Sequence, residues 1–386
     1  MVTRLPAVEP PPLLSPVRHA PPSRVYPRYL LPLYVILIVY SSLSPFTGWK
    51  ISEPGTPHFM RAAWPRHLTS FDVVANVLAY VPLGILLFDL PRPRFGWRAR
   101  VVIASLSGFL LSFSMETLQA FLPVRFSSLT DLLANVAGTF AGAIVAAGMG
   151  HSRLARRLVD WRRQTFNEGA GAEFGEVLLA AWLFVQLNPS IPFFAAGTII
   201  NPMIAEWNTN STEPLYLLPQ SLAVALNVCG FGLFTSVLLR PLARPAPFAL
   251  AVIACGVFLK MLAAGLLLKS PLMLDWFGKD TMIGIAGGGA TLWLALHLSH
   301  RWRIYLAAML LLAGGLLAKI AAIYNGLSAT LGVFNWPYGQ LFNFTSLTLL
   351  VNEFWPVVAL IYLLIVFDRL PSSDATPGDT ARSADV

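Results

Sequence analysis

Seven polar residues stand in apolar sequence between residues 72 and 142, and they are the strongest candidates for chemistry in this chain. They are Asp72, Asn76, Glu116, Gln119, Arg125, Asp131 and Asn135. A central charge in a membrane costs about 2.5–3.5 kcal/mol on insertion scales, so such residues mark a functional site by default. Six of the seven residues form three pairs whose members are three or four residues apart, which puts the two members of each pair on one helix face. The pairs are Asp72–Asn76, Glu116–Gln119 and Asp131–Asn135.

Three motifs carry these residues in a fixed order. They are D-x-x-x-N followed by Y-V-P-L-G (Asp72 to Gly84), M-E-T-L-Q-A-F-L-P-V-R (Met115 to Arg125), and D-L-L-A-N-V-A-G-x-x-A-G (Asp131 to Gly142). Together with S-L-S-P-F, which ends at Phe46, they resemble the VanZ-like family of bacterial membrane proteins over residues 29–150. The resemblance implies an integral protein of the cell envelope and an association with resistance to the glycopeptide teicoplanin.

The composition predicts a polytopic membrane protein. Hydrophobic residues make up 56% of the 386 positions and charged residues only 12%, against about 25% charged in a soluble domain. The net charge of +8 does not indicate nucleic acid, because the basic residues sit in short gaps between apolar runs. No nucleotide-binding or hydrolase motif and no histidine cluster with metal-ligand spacing is present, so we expect no cofactor and no metal site.

The apolar runs predict an all-α transmembrane bundle of about ten helices, since each run approaches the 20 residues or so that span a bilayer. They lie near 29–46, 72–90, 99–122, 130–149, 175–196, 217–239, 247–268, 280–299, 303–323 and 351–368. Arginines concentrate in alternate gaps, which places both termini in the cytoplasm by the positive-inside rule. The predicted location is the inner (cytoplasmic) membrane of a bacterium.

These runs divide the chain into six segments. They are a disordered tail (1–28), a VanZ-like four-helix domain (29–150), a cytoplasmic basic amphipathic connector (151–174), a second, repeat-like four-helix domain (175–299), two further transmembrane helices (300–370) and a disordered tail (371–386).

The second half suggests a degenerate 4+4 parallel repeat of the first. Four polar residues there fall at positions like those of the first set: Asn227, Lys260, Lys269 and Asp280. Four helices per unit would give both units the same orientation, as in parallel-repeat transporters. The last two helices lie outside the repeat and bring Lys319, Asn325, Asn352 and Glu353 near their outer ends.

Each polar residue also has a structural interpretation. Glu116 and Arg125 could form an ion pair that fixes the turn between two helices. Alternatively, Glu116 could be a carboxylate in a cavity, where it would act on a substrate or a proton. Asp131 could cap its helix, and Asn76 and Asn135 could each be an interhelical hydrogen bond. Because all three helix ends lie on the outer side, we predict that the set forms one outward-open polar pocket.

Three functions fit such a pocket. The first is binding of an amphiphilic ligand, such as a membrane lipid, a lipid-linked cell-wall precursor or a glycopeptide. The second is transport or lipid flipping, which the parallel repeat suggests. The third is a membrane enzyme with Glu116 as general acid or base, the best candidate for a catalytic residue.

Overall fold

The computed structural model describes residues 25–44, 46–50, 70–90, 95–123, 125, 127–149, 152–189, 191, 193–194, 217–241, 243–267, 277–325 and 340–368. Within these ranges the chain is helical, apart from one isolated β-bridge. The helices are α1 (Val25–Leu43), α2 (Ser70–Asp89), α3 (Trp97–Gln119), α4 (Leu129–Met149), α5 (Arg153–Thr165), α6 (Ala170–Val185), α7 (Leu217–Leu238), α8 (Pro245–Leu267), α9 (Lys279–Ala295), α10 (His300–Asn325) and α11 (Gln340–Asp368).

The predicted all-α class is confirmed, and ten of these helices lie on the ten apolar runs. Six of them, α3, α4, α7, α8, α10 and α11, are long and apolar enough to cross a membrane by length and composition. The surfaces that these helices expose on the outside of the bundle are apolar as well. On α8, Leu250, Phe258 and Leu266 are each more than 60% exposed at helical spacing. An exposed apolar face of this size is expected against lipid and not against water.

Three helix boundaries differ from the prediction. Helix α1 begins at Val25, so residues 25–28 are helical and not part of a disordered tail. Helix α6 ends at Val185, well before residue 196, because Pro189 and Pro192 follow and proline cannot continue the backbone hydrogen bonds. Helix α11 begins at Gln340, eleven residues before the predicted start. The rest of both predicted tails, 1–24 and 371–386, falls outside the described residues.

The first four helices are held together by the parallel packing of α2 against α4. A Cβ placed on Gly138 would lie 2.2 Å from the Val77 carbonyl oxygen, and one on Gly142 would lie 2.0 Å from that of Val81. Small residues allow backbones to approach this closely in membranes. Helix α3 runs antiparallel to α4 and completes the group with α1.

Helices α6, α8, α9, α10 and α11 surround α7, which is buried almost throughout its second half. An aromatic cluster fills this core, with the Trp182 and Phe231 ring centroids 4.1 Å apart. Helix α9 runs parallel to α7, and the positions of Gly284 and Gly288 bring its backbone close to that of α7. The pair α7–α9 thus packs like α2–α4, which agrees with a parallel repeat; the repeat itself stays a prediction.

Two elements join the halves. Helix α5 is the basic connector, and Arg162 on it forms a two-point ion pair with Glu176 of α6 at 2.8 and 2.9 Å. The connection from α5 to α6 is also fixed to the end of α7, where the Asn167 side chain donates to two carbonyl oxygens. Helix α11 contacts α6 and α10 on one side and α1 and α2 on the other.

The predicted orientation leads to a labelling experiment. Lys50 and Arg157 are both exposed, and the positive-inside rule places them outside and inside, respectively. With the native cysteines Cys229 and Cys255 replaced by alanine, Lys50→Cys should react with a membrane-impermeant maleimide in intact cells. Arg157→Cys should react only after permeabilisation. The reverse pattern would overturn the orientation.

Candidate ligand-binding site

Helix α3 presents one buried polar face toward α2 and α4. Ser112, Glu116 and Gln119 lie along it at helical spacing, with 0%, 3% and 8% of their surfaces exposed. Burial this complete is unusual for a glutamate without a partner. The three side chains therefore face the interior of the bundle and not the lipid.

The Glu116 carboxyl group is held by the turn that leads into α4. Its Oε2 accepts the Ser128 backbone N–H at 2.8 Å, and the Ser127 hydroxyl donates to the Glu116 carbonyl oxygen at 2.8 Å. The salt bridges between described residues do not include Glu116 with Arg125. Both side chains bind backbone groups instead, Glu116 that of Ser128 and Arg125 that of Ser44.

Arg125 instead binds the carboxyl-terminal end of α1. Its guanidinium donates to the Ser44 carbonyl oxygen through Nε at 2.9 Å and to the Ser41 carbonyl oxygen at 3.3 Å. Gln119 donates to the neighbouring Ser42 carbonyl oxygen at 2.9 Å. The last carbonyl groups of a helix have no partner within it, so these two side chains satisfy them. Partial burial lowers the pKa of Arg125 below its usual range.

The two asparagines lie at nearly one level on parallel helices. Gly138 of α4 packs on Val77 of α2, which sets Asn76 and Asn135 within about 3 Å of one another along the axes at 1.5 Å per residue. Asn135 also donates to the Ser112 hydroxyl at 2.9 Å. Glu116 lies one turn from Ser112, about 6 Å farther toward the carboxyl-terminal end of α3.

On α2 and α4, three buried polar atoms have no hydrogen-bond partner. They are Nδ2 of Asn76, the hydroxyl of Tyr80 and Oδ1 of Asn135, in residues that are each more than 90% buried. The Tyr80 hydroxyl is near enough to the Ser112 side chain for a weak hydrogen bond but lacks the geometry of a good one, and it lies within electrostatic range of Glu116. An unpaired buried polar group costs about 1–3 kcal/mol, so three together call for a ligand or ordered water between the helices.

Two acidic residues of the set lie at helix starts. Ser128 caps α4, because its hydroxyl accepts the Thr130 backbone N–H at 3.2 Å. Asp131 lies in the first turn of α4, where a negative charge is favoured by the helix dipole. Asp72 lies in the first turn of α2, and its side chain falls outside the described residues.

The counterparts in the second half bind the segment that follows α6. Lys260, fully buried on α8, donates to the Asn188 carbonyl oxygen at 3.0 Å. Asn227 of α7 donates to the Phe194 carbonyl oxygen at 2.8 Å. Asp280 lies in the first turn of α9, as Asp131 does in α4. Lys269 is not among the described residues.

The sequence interpretation missed two residues of this site. Tyr80 and Ser112 belong to residue types that are common in apolar helices, so only their spacing could have indicated them: each lies four residues from a polar residue already singled out. Across the described part of the chain, no group of three metal-ligating side chains occurs. The arrangement offers hydrogen-bond donors and acceptors beside one carboxyl group.

The apolar helices and the buried polar face define a multi-pass helical membrane protein. Residues 23–150, a third of the chain, match the VanZ/LLP1 family model. The family predicted from the motifs is thereby confirmed for this third of the chain. No curated protein and no solved structure matches the chain.

Proposed function

We propose that the VanZ-like domain binds the polar part of an amphiphilic ligand between α2, α3 and α4, at the outer side of a bacterial inner membrane. The observation that carries the proposal is the set of unpartnered buried atoms on Asn76, Tyr80 and Asn135 beside Glu116. Buried polar groups in folded proteins are almost always paired. A bound head group would supply the missing partners.

The unpartnered atoms favour a neutral polar group over a bare anion. Nδ2 of Asn76 is a donor, Oδ1 of Asn135 is an acceptor, and the Tyr80 hydroxyl can be either. A hydroxyl or amide satisfies both kinds of group, whereas a phosphate next to the Glu116 carboxyl group would bring like charges together when that group is ionised. Sugars and peptides carry hydroxyls and amides, which fits a lipid-linked cell-wall precursor. A glycopeptide such as teicoplanin has the same groups, in keeping with the association that the family resemblance implies.

Replacing Asn76 with leucine distinguishes a ligand-binding role of Asn76 from a role as a structural hydrogen bond between helices. Asn76→Leu removes a buried donor that has no partner, so the unfolding temperature should stay the same or rise. Binding should nevertheless weaken by about tenfold, which is about 1.4 kcal/mol. The measurement is titration of the purified chain in detergent with the lipid-linked disaccharide-pentapeptide cell-wall precursor, and separately with teicoplanin.

The control is Ser114→Ala, because Ser114 lies on the same helix as Glu116 but is exposed and its hydroxyl donates to Leu110 of its own helix. This variant should bind as the unaltered chain does. If Asn76→Leu lowers the unfolding temperature and leaves binding unchanged, Asn76 is an interhelical contact and the proposed pocket is rejected.

The parallel packing shared by α2–α4 and α7–α9 supports transport as a second candidate function. Two units of one orientation can rock against each other around a site between them. A transporter would move the ligand across vesicle membranes in a manner that needs Glu116, whereas a binding protein would not. An enzyme with Glu116 as acid or base would instead convert the precursor in detergent, where no gradient exists.

A further inference from the structure

A cavity of about 240 Å³ lies between α6, α7, α10 and α11, outside the segment that resembles the VanZ family. It extends along α10 from Leu311 to Lys319, a length of about 12 Å at 1.5 Å per residue. The antiparallel helix α11 lines it from Asn352 to Leu360. The cavity is therefore an elongated groove that follows the helix axes.

The two ends of this groove differ in chemistry. Leu311 and Leu360 line one end, whereas Lys319, Asn352 and Glu353 line the other. Lys319 and Glu353 form an ion pair that keeps part of the lysine side chain exposed. Nδ2 of Asn352 is buried without a partner. The polar end thus offers the Lys319–Glu353 ion pair and an unpaired amide donor to the same ligand.

The side walls of the groove differ as well. Leu312, Leu316 and Val357 are each more than half exposed, so this wall opens toward the surrounding lipid. The opposite wall is aromatic, and its Trp182 and Phe231 are 6% and 0% exposed. A lipid hydrocarbon chain that enters from the bilayer would reach the Trp182 ring only through the groove.

We propose that this groove holds part of the hydrocarbon chain of a bilayer phospholipid, with the lipid's ester carbonyl oxygens at Asn352 and Lys319. The lipid tail passes from the bilayer to the apolar walls of the groove at little cost in free energy, because lipid tails are as apolar as leucine. The polar end then provides what the bilayer interior lacks, namely N–H donors for neutral acceptor oxygens, from the unpaired Asn352 amide and from the Lys319 ammonium group beside Glu353. This site is separate from the pocket of α2–α4, and its test does not depend on that pocket.

The proposal is tested by photo-cross-linking of the full chain. The protein is reconstituted in vesicles of phosphatidylethanolamine and phosphatidylglycerol that contain a phosphatidylethanolamine with a diazirine in its acyl chain. After illumination, labelled residues are mapped by mass spectrometry. We expect label on Trp182, which is only 6% exposed and faces the groove, in addition to label on lipid-facing residues such as Leu250.

Gly315 provides a way to fill the groove without disturbing the packing. It lines the cavity, and a Cβ there would meet no atom within 4 Å. Gly315→Phe and Gly315→Leu should each reduce labelling of Trp182 by about tenfold and leave Leu250 labelled, since filled volume excludes the chain. Gly289→Phe is the matched control, because Gly289 also faces open space but lies on α9, away from the groove.

Two results would overturn the proposal. One is label confined to outward-facing side chains in the unaltered protein. The other is equal labelling of Trp182 in the unaltered protein and in Gly315→Leu, the smaller of the two substitutions and the one better tolerated in folding. A decrease in Asn352→Leu, with Leu250 unaffected, would support the placement of the lipid's polar oxygens.

Discussion

Gly142→Val should prevent α2 and α4 from packing and should lower the amount of folded protein severely. A Cβ at Gly142 would lie 2.0 Å from the Val81 carbonyl oxygen, and that atom belongs to the backbone. Backbone cannot move aside as a flexible side chain can, so the helices must separate. Overpacking typically costs about 1–3 kcal/mol, and more when the backbone must shift.

Gly148→Val is the matched control for this experiment. Gly148 lies on the same helix, and a Cβ there would meet no atom within 4 Å. Both variants make the same change in helix propensity, so their difference isolates the contact with α2. The measurement is expression followed by thermal unfolding of the detergent-purified protein. Similar unfolding temperatures for the two variants would show that the α2–α4 contact is not as tight as the structure has it.

The second large effect is expected at Arg125. Removing its guanidinium leaves the Ser41 and Ser44 carbonyl oxygens at the end of α1 without their donors. Hydrogen bonds to a charged group contribute about 1.5–3 kcal/mol, so Arg125→Gln should destabilise the protein by about that amount. Arg125→Lys should recover little of it, because one ammonium group cannot reproduce the planar fork that spans two carbonyl groups.

Thermal unfolding of Arg125→Gln, Arg125→Lys and the control Arg156→Gln would test this role. Arg156 is exposed on α5, where the loss of a charge should change stability by no more than a few tenths of a kcal/mol. If lysine at position 125 restored full stability, the charge alone would account for the effect. Unchanged stability in Arg125→Gln would mean that the contacts to α1 contribute nothing.

The number of helices could be predicted from the sequence because apolar length is a property of the sequence alone. Ten runs gave ten helices, and most bounds agree within a few residues. The exceptions depend on local chemistry that hydropathy ignores. Pro189 ends α6 early, and the stretch from Gln340 extends α11 although it contains polar residues such as Asn343 and Thr345.

The partners of the polar residues could not be predicted, because most of them are backbone atoms. Arg125 binds carbonyl oxygens more than eighty residues earlier, and Glu116 accepts the backbone N–H of Ser128. Every residue has such groups, so no sequence pattern distinguishes the ones that a side chain will reach. Spacing could show that Asn76, Glu116 and Asn135 face inward, but not that Tyr80 and Ser112 stand among them.

The groove between α10 and α11 was missed for a related reason. Lys319, Asn352 and Glu353 stood out in the sequence as polar residues near two helix ends. Their meaning depends on the space beside them, and an empty volume arises only when four helices are packed together. Gly315, which leaves room in that groove, looks in sequence like any other small residue of a membrane helix.

The position of α11 has a consequence for how the protein is made. This helix contacts α1 and α2 as well as α6 and α10, yet it follows α1 and α2 by about 250 residues or more in the sequence. A ribosome adding 5–20 residues per second needs about 10–40 s to pass from Met149, the end of α4, to Gln340, where α11 begins. Throughout that time the surface of α1 and α2 that α11 will cover is in the bilayer without it. Lipids or a membrane chaperone must occupy that surface of α1 and α2 first and must leave it when α11 arrives.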